Sequence, residues 1–424
     1  MKNNWDKQYD SWKDIGFFNL DIDEMETVAL DDYLDKFAKF DKEMRDWGIY
    51  SHIRNEIQKF RDTMPLLSDL RAEAMRERHW KELRIEVKED FDEQSEEFNL
   101  DKVMSLNLLS HIEKIGELAD NAKKQLKIEV ELEQIRFCWE DSEKSDLIIE
   151  KQKSKADNEE FYQIKTTENI MELIEDHGGK LGNHKSSPYY KEFDTLIDHW
   201  EANISQITET LEVLLAVQGK WKYLESIFRG QPDISKQLPN EDAIFKKNNT
   251  TFKAEMERIA KTKNCLNSLI VKNFLPLLND LNKKFEQIQK NLNQFLEAKR
   301  GQFPRFYFLS NEDLLEIIGQ SKDPKPILQH IGKMFEGIAS LTIQTQGSKN
   351  NLTYEITELQ SNDKPYEAIP LRQFAVDPKV EAWLKKLVNE MKASLRRLFY
   401  QYYHENSGSS KNRNEKEKMM AIIK

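Results

Sequence analysis

The residues of this chain that could do chemistry are few and poorly grouped. Gly178-Gly179-Lys180-Leu181-Gly182 imitates a phosphate loop, in which backbone N–H groups cradle phosphates and a lysine reaches the last one. It lacks the spacing and the Ser or Thr after a lysine, and no apolar strand precedes it. A helix terminator explains these glycines better. No G-x-S-x-G nucleophile elbow and no H-E-x-x-H zinc pair occurs. The eight histidines are scattered. His79 between Arg78 and Trp80, and His199 beside Trp200, could titrate, but hydrogen-bonded structural roles fit both better. Cys138 and Cys265 belong to no CxxC pair or His/Cys spacing and read as buried thiols in a reducing compartment. With 75 acidic residues in the chain, a pair such as Glu175-Asp176 says nothing about acid–base work. No catalytic, cofactor-binding or metal site is expected, and no enzyme.

Composition points the same way. The chain has 424 residues, 38% hydrophobic and 33% charged, with only 14 Gly and 11 Pro. That profile suits long helices laced with surface charge better than an α/β enzyme, which spends glycine on its loops. Disorder is excluded by 22 Phe, 13 Tyr and 8 Trp, ample material for a core. The net charge of −11 argues against nucleic-acid binding, which needs a basic face. No apolar run reaches the roughly 18 residues of a membrane span, and the N-terminus lacks the apolar stretch of a signal peptide. Sequons such as Asn249-Thr250-Thr251 therefore carry no glycosylation meaning, and the expected location is the cytoplasm or a compartment continuous with it.

The elements that must carry these residues are mostly helical. Tyr33, Phe37, Phe40, Trp47, Ile53, Ile57 and Phe60 predict helix over 31–70, which Pro65 should break. A second helix is expected through Met75 and Arg78-His79-Trp80, then an acidic surface loop over 89–97. Asn99 or Asp101 should cap a helix with a continuous stripe of Val103, Leu106, Leu109, Ile112, Ile115 and Leu118, extended by Ile128, Leu132 and Ile135. Short apolar runs at 147–149 and 161–164 predict a β-hairpin. Helix resumes at Thr167 and should stop at Gly178-Gly179. Ile204, Ile207, Leu211, Leu214, Trp221, Leu224 and Phe228 form a heptad-like seam over 194–228, for intrachain packing rather than a partner helix. A loop punctuated by Pro232 and Pro239 precedes a helix over 252–266 and a long one ending at Arg300. A second hairpin is expected at 341–357, helix over 380–403, and flexible chain over 407–418.

Phe303-Pro304-Arg305-Phe306-Tyr307-Phe308, followed by Leu309-Ser310-Asn311, closes one helix and opens the next. Four aromatics in six residues are costly to leave in water, each burying roughly 150–250 Å² when packed. Phe303, Phe306, Tyr307 and Phe308 are therefore expected to form one packed nexus where helices meet.

Five ordered blocks resemble the linker region of dynein heavy chains, N-terminal to the AAA+ ring. Met64-Pro65-Leu66-Leu67 leading to Arg78-His79-Trp80 is similar to the family's entry, and Phe98-Asn99-Leu100 to its next helix start. Val217-Gln218-Gly219-Lys220-Trp221-Lys222-Tyr223-Leu224, with Phe228, Asp233 and Gln237-Leu238-Pro239, resembles its most recognisable block. Leu296 to Arg300 running into Phe303–Phe308 is the fourth. Val380-Glu381-Ala382-Trp383-Leu384 resembles the start of its exit helix. The tryptophan-proline-glycine strand that leads into the family's first AAA+ module is absent, as are a Walker lysine and a Mg²⁺-binding acidic residue.

The resemblance implies a mainly α fold, an elongated arch of serial helical bundles with two small β-hairpins. Its parts would be the end of tail helices at 1–62, an N-terminal linker half at 63–230, central helices at 231–300, a C-terminal part at 301–405, and a segment leading towards the ring at 406–424. It implies a non-catalytic mechanical lever of a microtubule motor in a ciliary axoneme, bending at 178–188, 229–241 or 301–311. No cofactor is expected in this segment, ATP and Mg²⁺ belonging to the ring. Its partners would be the ring of its own full-length chain, intermediate and light chains through the adjoining tail, and microtubules only through the full motor, with no nucleic acid and no membrane. The rival reading is a non-motor helical scaffold for axonemal or cytoskeletal assembly.

Overall fold

The computed structural model describes residues 1–154, 158–320, 323–346, 353–362, 367–377 and 379–405. They are mainly α-helical, with one two-stranded and one three-stranded antiparallel sheet. By backbone contacts they divide into two units: Met1–Lys144 with Met171–Ile204, and Ser145–Ile170 with the described residues from Ser205 onward.

The first unit begins with α1 (Lys2–Trp12), α2 (Ile22–Thr27), a π-helical stretch Val28–Leu34, α3 (Asp35–Ala38), α4 (Lys42–Arg45) and α5 (Gly48–Leu70). Pro65 lies inside α5 and does not break it. Met64, Leu66, Leu67 and Leu70 around it are all buried. Each such side chain contributes about 1.5–3 kcal/mol on burial, together outweighing the roughly 3 kcal/mol cost of a helical proline. After α6 (Glu77–Val87) the acidic loop is not wholly a surface loop, because Phe91 and Glu93 are buried and Arg84 pairs with Glu93.

Asn99 caps α7 (Leu100–Ser105), its side chain accepting the Lys102 N–H at 3.0 Å. The stripe expected to run unbroken to Leu118 is interrupted at Asn107, whose φ of 47° is left-handed, a conformation Asn tolerates. The break turns Leu108 into the core and leaves Ile112 half exposed at the start of α8 (Ile112–Glu140). One core, from Trp5 through Phe60 and Trp80 to Leu118, unites residues before and after position 62. Phe60 meets Trp5 edge-on at 5.2 Å and stacks on Trp12, while Trp80 meets Phe17 edge-on at 5.8 Å.

α9 (Glu168–Lys185) continues through Gly178, Gly179 and Gly182, so these glycines do not terminate it. Buried His177, Leu181 and His184 recur at helical spacing and hold the helix across them. α10 spans Asp194–Phe228, with every residue of the predicted seam buried.

In the second unit, β1 (Ile148–Lys153) pairs with β2 (Glu160–Thr166). The stretch expected to be a loop at 229–241 is largely helix: α11 (Pro232–Gln237) and α12 (Pro239–Thr262) each open on a proline, whose missing N–H costs nothing there. The helix expected over 252–266 is therefore α12 followed by α13 (Cys265–Leu269), and α14 (Phe274–Gln302) comes next. A 3₁₀ turn (Pro304–Phe308) leads into α15 (Asn311–Gly319), capped by Ser310, and α16 (Lys325–Met334). A Cβ at Gly319 would lie 2.7 Å from the Gln231 Cβ, so glycine permits the close approach of α15 to the start of α11.

The second hairpin is part of a three-stranded sheet in the order β3 (Ile338–Gln346), β4 (Thr353–Ser361), β5 (Ala368–Ala375). Its predicted Gly-Ser-Lys-Asn-Asn turn falls outside the described residues. β5 carries Pro370, which lacks a ladder donor and fits an edge strand. α17 (Val380–Glu405) completes the chain as described, and the flexible stretch expected at 407–418 lies beyond it.

Candidate functional site

The signature residues gather into three packed junctions, none with the geometry of an active site. At the first, Arg76 leads into α6 and His79 is buried. The Arg76 backbone N–H donates to His79 Nδ1 at 3.1 Å, so Nε2 carries the proton and donates to Gln125 Oε1 at 3.0 Å. Gln125 Oε1 also accepts Arg78 Nε at 2.6 Å, and the Arg78 guanidinium lies 5.2 Å from the Phe193 ring centre. Burial, and then the charge of Arg78, hold the His79 pKa below its ordinary value. The His79 imidazole thus ties α6 to α8 through hydrogen bonds on both ring nitrogens. His199 is exposed, its Nε2 3.0 Å from the Asn203 amide.

The second junction is built on the end of α10. Trp221 is buried, donates Nε1–H to Asn249 Oδ1 on α12 at 2.8 Å, and meets Phe161 of β2 and Phe252 at 5.0 Å each. Phe228 stacks on Phe245 at 5.5 Å, and Phe245 meets Phe285 of α14. Leu224 is fully buried; Tyr223 is half-buried, its pKa raised by burial and then by Glu312. Asp233 pairs with Lys236 in the first turn of α11, while Gln237 and Pro239 are exposed and Leu238 is intermediate. In the sequence Gln218 figures only as one position of the 217–224 block and Asn249 only as the start of a sequon. Each sits within a helical run, and only tertiary pairing shows its use.

The third junction corrects the aromatic nexus. Phe303 and Phe306 are buried and meet edge-on at 5.0 Å, but Tyr307 is 60% and Phe308 68% exposed. A 3₁₀ turn brings only residues three apart onto one face, so Phe303 and Phe306 share the core while Tyr307 and Phe308 face water. Pro304 is exposed at the first position of the turn. Arg305 donates to the Met334 carbonyl at 2.7 Å and lies over Phe335. The buried Arg300 ties the turn to α14, its Nη2 donating to the Leu309 carbonyl at 3.1 Å and its Nε facing the Phe306 carbonyl at 3.5 Å. Nearby, Lys299 pairs with Glu381 of α17 at 2.8 Å, and Trp383 is fully buried.

Among the described residues no group of three or more His, Cys, Asp and Glu could hold a metal, and no helix is long and apolar enough to cross a membrane. Both cysteines are buried; burial pushes the Cys265 thiol up to about 12 and raises that of Cys138, so neither is poised as a nucleophile.

Sequence comparison matches residues 1–402 to the family described as dynein heavy chain, N-terminal region 2. Human dynein axonemal heavy chain 2 is 40% identical over 396 residues, covering 93% of this chain and 9% of the relative. The 1-beta heavy chain of the flagellar inner arm I1 complex of Chlamydomonas reinhardtii is 36% identical over 425 residues, again 9% of its own length. A cytoplasmic dynein heavy chain of Neurospora crassa is 30% identical over 369 residues. The chain thus spans less than a tenth of the curated relatives it matches.

Proposed function

Because this chain belongs to the dynein heavy chain family, we propose that it is the linker of an axonemal dynein, a lever that turns ATP-driven changes of the AAA+ ring into displacement along a microtubule. What supports the reading is stiffness within the parts, and it corrects the flexion expected at 178–188, 229–241 and 301–311, stretches that are largely helical or tied down. Gly178–Gly182 lies inside α9, residues 232–237 are helical, and the 303–309 turn is tied to α14 by Arg300. A lever transmits displacement only if it resists bending within its parts.

In this role the chain itself turns over no ATP, and hydrolysis with its Mg²⁺ belongs to the ring. The ring of the same full-length chain is its working partner, intermediate and light chains reach it through the adjoining tail, and microtubules act on it only through the complete motor. The axoneme is its place of work. One fluorophore at Lys290→Cys, on the exposed side of α14, and a second on the ring of the complete motor provide the test. Their separation should alternate between two values as nucleotide is bound and hydrolysed. A single separation in every nucleotide state would overturn the lever reading.

A further inference from the structure

Of the 11 prolines in the chain, only Pro188 follows a serine or threonine. Ser187-Pro188 lies in the turn between α9 and the 3₁₀ stretch Tyr190–Phe193. Ser186 and Pro188 are exposed and Ser187 is half-buried. The hydrogen bonds of the turn are local. The Ser186 N–H reaches the Gly182 and Asn183 carbonyls at 3.3 and 3.2 Å, and the Ser187 N–H donates to the His184 carbonyl at 2.9 Å. The Tyr189 N–H reaches Ser187 Oγ at 3.4 Å. Such bonds open without unfolding the helices on either side. Pro188 has no N–H to leave unpaired when the segment is drawn out, and it biases Ser187 toward an extended backbone. A proline-directed kinase takes its substrate in that form.

The same turn borders a cavity of about 450 Å³, lined by Ser187 and Tyr189 and by Lys124 and Lys127 of α8. Lys180 and Glu131 also line it, but Lys180 engages Asp176 at 2.8 Å and Glu131 lies 2.8 Å from His184 Nε2. Lys124 Nζ bonds the Tyr189 hydroxyl at 3.1 Å, a neutral partner two residues from Ser187. Lys127 is exposed and makes no ion pair among the described residues. A phosphoserine carries a charge of about −1.5 to −2 at neutral pH and three strong acceptor oxygens. An ammonium group bonds these more strongly than it bonds a phenol hydroxyl.

We propose that Ser187 is a phosphorylation site for a proline-directed protein kinase, and that Lys124 and Lys127 capture the phosphate and pin the turn after α9 to α8. In the kinase, Ser187 Oγ attacks the γ-phosphorus of ATP. The new O–P bond forms as the bond to the β–γ bridging oxygen breaks, the hydroxyl proton passes to a carboxylate of the kinase, and ADP leaves. Glu131 is the one carboxylate in the lining and opposes the phosphate, so capture rests on both lysines together. The site is independent of the lever reading, since it concerns the modification of the chain and not its motion.

The test has two arms. The folded chain is incubated with ATP, Mg²⁺ and a mitogen-activated protein kinase, and in parallel phosphoserine is installed at position 187 by genetic encoding. The kinase should place phosphate on Ser187, located by mass spectrometry, and none on Ser187→Ala. In ³¹P NMR the second ionisation of the installed phosphoserine should lie below its ordinary value of about 6. It should return to that value in the double variant Lys124→Met, Lys127→Met. Both lysines are exposed, so without phosphate the double variant should melt as the parent does. With phosphate the parent should melt higher and the double variant should not. Absence of phosphate from Ser187, or equal labelling of Ser187→Ala, overturns the modification site. A second ionisation that is unshifted, or shifted equally with and without the lysines, overturns the capture.

Discussion

Gln218 on α10 and Ile164 on β2 exchange two hydrogen bonds: the Ile164 N–H donates to Gln218 Oε1 at 2.8 Å, and Gln218 Nε2–H donates to the Ile164 carbonyl at 3.0 Å. A side-chain amide thus takes the place of a third strand at the edge of the β1–β2 hairpin, satisfying a backbone donor and acceptor that would otherwise need water.

Gln218→Ala should leave both backbone groups of Ile164 unpaired. The loss expected is about 1–3 kcal/mol, concentrated in the hairpin. Hydrogen exchange at the Ile164 amide should accelerate strongly while amides of α14 change little. Unaltered exchange at Ile164 would mean that the pairing does not persist in solution.

Phe306 and Phe308, two residues apart, should behave oppositely. Phe306 is fully buried, and Phe306→Ala should cost about 3–5 kcal/mol. Phe308 is largely exposed, and Phe308→Ala should stay within about 0.5 kcal/mol. Urea denaturation of the two variants separates the outcomes. Equal, large losses would restore the four-ring nexus that the sequence suggested.

Gly178→Ala and Gly179→Ala should each stabilise the chain by about 0.5–1 kcal/mol, because both glycines lie in a helix interior. An added Cβ at either position would meet nothing within 4 Å. Were these glycines a helix terminator in a left-handed conformation, the same substitutions would destabilise. Thermal melts decide between the signs.

His79 makes stability fall in mild acid. Its folded pKa is depressed below the ordinary 6.5, by burial first and by Arg78 second. The unfolded chain therefore binds the proton more readily, and stability is lost as pH falls below about 6.5, down to the folded pKa. His177, buried and shifted the same way, adds to the loss. The stability gap between the parent and His79→Gln should narrow from pH 7.5 to pH 5.5. A gap independent of pH would show that His79 does not titrate differently on folding.

Much of this architecture is legible in the sequence where one helix face carries the signal alone. α10 follows its heptad seam from Asp194 to Phe228, and Asn99 announces the cap of α7. Legibility fails where tertiary burial overrides local preference. Pro65 and Gly178 sit inside helices because their neighbours are buried, which no local rule reports. β5 is not legible in the sequence, since Pro370 interrupts its pattern and only its edge position makes the proline acceptable. Trp221 and Phe306 stand out as large aromatics, but Asn249 and Arg300, which fix their surroundings, look like ordinary polar positions of long helices until the fold brings their partners near.

The lever is tested most directly by a short Gly-Ser insertion between Gly230 and Gln231, where α10 ends and α11 has not begun, made in the complete motor. It replaces a tight connection by a flexible coil without touching the ring. Gliding velocity and ATPase rate are then measured on one preparation. Velocity should fall severalfold while ATP hydrolysis is largely retained; velocity equal to that of the parent motor would contradict the account and make this chain a passive spacer.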